Sequence, residues 1–80
     1  MPVMESYRNL SGKSGVIAYE LGPDHIRVRF ADGHVYTYDY RTTGRGKVEQ
    51  MKRLATAGRG LCSFISQVVG NNFAYKDTRG

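Results

Sequence analysis

The sequence holds a single cysteine, Cys62, in 80 residues. No internal disulfide can form, so nothing covalent staples the fold, and a reducing cytoplasm suits it. No stretch approaches the roughly 18 apolar residues of a membrane span, and the opening "MPVMESYRNLSGKSG" has no apolar core of the kind a secretory signal needs. His25 and His34 are the only histidines; with one cysteine they make no familiar zinc spacing. The few acids include no close pair for acid–base chemistry, and Cys62 has neither a base nor an orienting group near it in sequence. These absences lead to the expectation of a non-enzyme with no cofactor or metal, in the cytoplasm and away from membranes.

What is present is positive charge. The formal net charge is +5, and it is not spread evenly. Arg41, Arg45, Lys47, Lys52, Arg53 and Arg59 face one acid, Glu49, in the same segment, an excess equal to the whole net charge. Such a cluster attracts polyanions, whether RNA, DNA or an acidic protein surface. It is equally what a solvated helix face looks like. A chain this short forms one small domain and buries only about 60% of its unfolded surface, which leaves little to line a deep cleft.

Residues 1–13 are polar and aperiodic and read as a flexible leader. Residues 14–70 carry the domain. "VIAYEL" is a short β-rich run, "GPD" a turn, and "HIRVRF" alternates Ile26, Val28 and Phe30 with Arg27 and Arg29. "ADG" and a second alternating run, "HVYTYDY", follow. The expected fold is α+β: a three-stranded antiparallel β-meander followed by two α-helices packed on one sheet face.

The three tyrosines of "YTYDY" raise a question of register, because a slip of one residue turns every side chain over. With a two-residue turn at Asp32 and Gly33, Arg29 would face Tyr36 and Arg27 would face Tyr38, giving an outward stacking platform. With a three-residue loop of Ala31, Asp32 and Gly33, Phe30 pairs with His34, Val28 with Tyr36 and Ile26 with Tyr38. The second register sorts apolar from polar residues better and puts the tyrosines in the core layer, hydroxyls at the rim. Asp39 is then expected beside Arg27 on the outer face.

Thr42 or Thr43 is the candidate N-cap of the first helix. Val48, Met51, Leu54 and Ala55 make its apolar face, Gly58 its stop, and Glu49 can pair with Arg45 or Arg53. In the second helix Leu61, Phe64, Ile65, Val68 and Val69 follow helical spacing. Residues 71–80 read as a tail in which Phe73 and Tyr75 could dock. "TTGRGK" lacks the spacing of a phosphate loop. Gly-Arg-Gly occurs at 44–46 and 58–60, best read as helix punctuation.

The order of these short motifs resembles the KTSC family, small domains found at the C-terminus of some lysyl-tRNA synthetases and as stand-alone bacterial proteins. The matching residues are Ser14, "VIAY" ending at Tyr19, "VRF" ending at Phe30, "ADG", Tyr36-Thr37-Tyr38, "LATAGRG" at 54–60 and "FI" at 64–65. The family's Val-Pro step before the first helix is "RTTG" here. The resemblance implies an α+β domain whose biochemical activity is unknown, with an RNA role inferred from the synthetase context. Combined with the charge, it makes RNA, as tRNA or a single strand, the expected partner. Arg27, Arg29, Arg41, Arg45, Lys47, Lys52, Arg53 and Arg59 would contact phosphates, and Tyr36 and Tyr38 would offer stacking rims. An interaction module docking an acidic protein is the alternative.

Overall fold

The computed structural model describes residues 4–8, 15–70 and 73–77, with the backbone alone at 75 and 77. Ser14 of the family pattern and the "NN" at 71–72 lie outside the described residues. The long alternating runs form the expected meander of β2 (Val16–Leu21), β3 (His25–Phe30) and β4 (Val35–Asp39). The sheet is not three-stranded, however. A two-residue strand β1 (Glu5–Ser6) pairs antiparallel with β2, giving β1-β2-β3-β4, and a three-residue β5 (Tyr75–Asp77) pairs with β4. Both additions come from the segments read as leader and tail. Two or three residues cannot show an alternation, so their strand character comes from docking on an edge already formed.

The β3–β4 loop has three residues. Phe30 N–H donates to the His34 carbonyl and Gly33 N–H to that of Phe30, both at 2.9 Å. Gly33 sits at φ 92°, the left-handed conformation this loop needs. The register pairs Ile26 with Tyr38 and Val28 with Tyr36, so both tyrosines share the core face with the aliphatic residues. In β2 the register shifts between Val16 and Ala18. The irregularity brings fully buried Val16 to the same face and leaves Ile17 half out. The Ile17 carbonyl accepts the N–H of Tyr7 at 2.9 Å, which ties down the N-terminal segment.

Helix α1 (Arg45–Ala57) lays Val48, Met51 and Ala55 on this face. Its N-cap is Gly44 rather than a threonine, with no side-chain cap bond. Thr43 is buried instead, and its N–H donates to the Asp39 carbonyl. Asp39 also accepts the Thr42 N–H at 2.8 Å, so the turn closes on the strand end before the helix starts. Gly58 ends α1 as expected. It is left-handed, at φ 83°, and a Cβ there would stand 2.7 Å from that of Arg8. Helix α2 (Leu61–Phe64) opens with the Leu61 N–H donating to the Tyr7 hydroxyl at 3.2 Å. It widens into a π-helical turn, Ile65–Val69, closed by Gly70 N–H on the Ile65 carbonyl at 2.7 Å. The wider pitch favours a spacing of four over three. Leu61, Ile65 and Val69 are therefore buried, while Val68, expected inside, is 47% exposed.

The core runs between the sheet and the helices through Tyr7, Val16, Ile26, Val28, Tyr38, Val48, Met51, Ala55, Leu61, Ile65 and Val69. Each aliphatic side chain fully buried in such a core contributes about 1.5–3 kcal/mol of hydrophobic stabilisation. No helix among the described residues is long and apolar enough to cross a membrane.

Candidate nucleic-acid interface

The basic residues divide by what they touch. On the outer sheet face Arg27 reaches Glu20 at 3.3 Å, not Asp39, whose carboxylate holds the turn at Thr42. Arg29 is half-buried and also engaged. Lys52 is turned inward. Its ammonium donates to the Gly22 carbonyl at 2.7 Å, pairs with Glu49 at 3.1 Å, and is only 16% exposed. It ties α1 to the β2–β3 turn, thirty residues earlier. That turn is itself close-packed: a Cβ at Gly22 would fall 2.0 Å from the His25 ring.

Glu49 pairs with neither arginine expected of it. It accepts the Tyr40 hydroxyl proton and the Lys52 ion pair. These bonds, Tyr40 first, hold its carboxyl below the ordinary range, and the same bond to Glu49 is the main reason the Tyr40 phenol is raised. Above the Tyr40 ring stand the Arg45 guanidinium at 5.6 Å and the Lys52 ammonium at 5.5 Å from its centroid, within cation–π range. Tyr40 is thus the centre of a polar junction that sequence reasoning missed. Its only signal was a tyrosine at the end of the alternating run, just before the basic segment.

Arg41, Arg45, Arg53 and Arg59 are exposed at α1 and its flanks, and Lys47 is half-exposed. Among the described residues, no carboxylate forms an ion pair with any of these four arginines. Arg53 instead donates twice to the neutral amide oxygen of Gln50, at 2.7 and 3.2 Å, so its charge stays uncompensated. A shallow hollow of about 430 Å³ lies along this helix beside Lys52, Arg53 and Thr56. Arg41 edges another with Asp39, Thr42 and Ala74.

The expected tyrosine rims are elsewhere and differ from each other. Tyr38 is 1% exposed, so its ring is core. Burial is the main cause that raises its phenol, with Tyr36 and Cys62 adding to it. Tyr36 is half-buried, lies parallel to Tyr38 and His34, and meets Phe30 and Phe73 edge-on at 5.4 and 4.8 Å. Phe73 does dock, as the sequence allowed. Beside these rings is a cleft of about 340 Å³, lined by Phe30 and Asp32 from the hairpin, Tyr36 and Tyr38 from β4, and Ile65 and Ser66 from the π-helical turn. Asp32 was legible only as a residue of the three-residue loop; the cleft needs three elements together and has no linear signature.

Among the described residues, no three histidines, cysteines or acids come together as metal ligands. No family model, curated protein or solved structure matches the chain.

Proposed function

We propose that the protein is a non-catalytic, cytoplasmic RNA-binding domain, akin to the KTSC family, that grips RNA by its phosphates. One observation carries the reading. Arg41, Arg45, Arg53 and Arg59 stand exposed around α1 with no carboxylate partner among the described residues, while the one acid in their segment is held by Tyr40 and Lys52. A surface built this way has positive potential that its own protein does not cancel. Arginine suits the task, because its planar fork matches phosphate oxygens. Lys47 adds to this face. Lys52 has a structural task instead, and Arg27 is balanced by Glu20, so the reading rests on the helix rather than on the open side of the sheet.

The family resemblance supports the architecture more than the chemistry. Tyr19, Phe30, Tyr36, Tyr38, Phe64 and Ile65, which carry it, all belong to the core cluster or pack against it.

The test is a backbone-amide titration with tRNA and with a short single-stranded RNA at low and near-physiological salt. Amides at 41–59 should move with both. The affinity for the single strand should fall with a log–log salt slope of about −3, the value for four released counterions at about −0.7 each. Amides that stay still at physiological salt would defeat the reading. Movement with polyglutamate but not with RNA would replace it with docking of an acidic protein.

A further inference from the structure

We infer that the cleft between the β3–β4 turn and the π-helical turn receives a single unstacked nucleobase. The inference deepens the RNA reading above and rests on it, adding a base contact to the phosphate contacts of α1.

The cleft's size and lining set the class of ligand. Its volume of about 340 Å³ lies at the small end of the roughly 300–1,000 Å³ typical of ligand clefts, enough for one planar group and its neighbouring sugar. Phe30 and Tyr36 give it aromatic walls, and Ile65 gives it an apolar one. Walls of this kind take the flat face of a base, and contacts between a base and an aromatic ring are worth about 1–3 kcal/mol.

The polar groups call for a ligand with a donor and an acceptor on one edge. Tyr38 lines the cleft with a ring that is 1% exposed, and its hydroxyl is the donor it brings there. A hydroxyl in the wall of a cleft gains a hydrogen bond when a ligand brings it an acceptor. Burial keeps the phenol protonated and therefore a donor. Asp32 supplies the opposite polarity: one carboxylate oxygen takes the His34 N–H at 3.0 Å, and the carboxylate has acceptor capacity to spare. The Ser66 hydroxyl donates to the Cys62 carbonyl at 3.1 Å, which leaves its lone pairs for a donor. Nucleobases carry amino or imino donors beside ring or carbonyl acceptors, and present them only when unstacked. At the rim, exposed Lys76 stands 5.5 Å from the Tyr36 ring centroid, placed to meet the phosphate next to such a base.

Two variants test this in the full chain. Tyr38→Phe removes one hydroxyl and keeps the ring. Asp32→Asn keeps the oxygen that accepts from His34 but loses the charge. Anisotropy with a labelled single-stranded RNA hexamer and with an RNA duplex should show each variant weakening the single strand by about 2–10-fold, the range for one hydrogen bond, with the duplex unchanged. The four nucleoside 5′-monophosphates, titrated separately, should shift the amides of Phe30, Tyr36 and Ser66. If both variants bind the single strand like the parent, or if no monophosphate moves those amides, the inference falls even when α1 still binds RNA. If the monophosphates move the cleft while RNA leaves residues 41–59 still, the phosphate-grip reading falls and the cleft stands. Asp32 is exposed, so its variant remains informative should Tyr38→Phe fold poorly.

Discussion

Tyr38, within β4, and Tyr40, one residue past its end, are two residues apart in sequence, yet they live in different solvents. Tyr38 lies among apolar side chains, nearly sealed, and its phenol is raised because burial disfavours the phenolate. Tyr40, half-exposed past the end of β4, is surrounded by Glu49, Lys52 and Arg45, and its phenol is raised mainly because its proton is held by Glu49. The same side chain anchors a core at one position and organises charge at the next. The difference comes from what α1 brings over the sheet: Val48 and Met51 belong to the core cluster around Tyr38, while Arg45, Glu49 and Lys52 meet Tyr40.

The comparison breaks most visibly at Tyr38. Truncation by Tyr38→Ala should cost about 3–5 kcal/mol in urea unfolding, the range for removing a large buried aromatic ring. A loss of that size is a large part of the stability of any domain this small. If Tyr38→Ala cost no more than a surface substitution, the ring would not be a core element and the register derived from the three-residue loop would be wrong.

A second contrast, between neighbours, gives a smaller effect. Lys52→Met keeps most of the side-chain stem and removes the ammonium that ties α1 to the Gly22 carbonyl. It should lower stability by about 1–2 kcal/mol, as expected for a charge-assisted bond in a mostly covered site. Arg53→Met, one residue on, loses only bonds to an exposed amide and should stay within about 0.5 kcal/mol of the parent. Its effect belongs in binding, where the salt slope for single-stranded RNA should become shallower by about 0.7. Reversed results, with Arg53 carrying stability and Lys52 carrying the slope, would exchange the roles assigned to the two cations.

These contrasts also show what a linear sequence could and could not disclose. β3 and β4 were legible because six residues of alternation outvote any other register, and "ADG" offered a loop that matched it. Gly58 was legible as a stop because a left-handed residue is what ends many helices. The outer strands were not, since Glu5–Ser6 and Tyr75–Asp77 are too short to carry a period. The helix start was misplaced because Asp39, four residues before Thr43, takes the turn's hydrogen bonds and leaves glycine at the cap. Lys52 looked like any other cation on a basic helix. Its partner, the Gly22 carbonyl, is remote in sequence and carries no side-chain signal. The cleft was illegible for the same reason, as its walls come from β3, β4 and the π-helical turn, and nothing in "FISQVVG" announces the wider pitch.

The smallest expected effect sharpens the first comparison most. In the folded protein the Glu49 carboxyl sits below its ordinary value of 4.5. A group lowered on folding adds stability above its unfolded pKa and loses that contribution as pH falls through the folded one. Tyr40 is raised above its ordinary value of 10.0. Its contribution is fully present below pH 10 and disappears as pH rises through the folded value. Both shifts arise chiefly from one hydrogen bond, so Tyr40→Phe should flatten the pH–stability curve at its two ends together: the acid limb below about pH 4.5 and the alkaline limb above pH 10. Tyr38→Phe should flatten the alkaline limb alone, because no carboxylate is among the causes of its shift. Urea midpoints measured from pH 3 to pH 11 distinguish the two. If Tyr40→Phe leaves the acid limb unchanged, Glu49 owes its lowered pKa to Lys52 rather than to the phenol, and the junction is an ion pair with a tyrosine beside it.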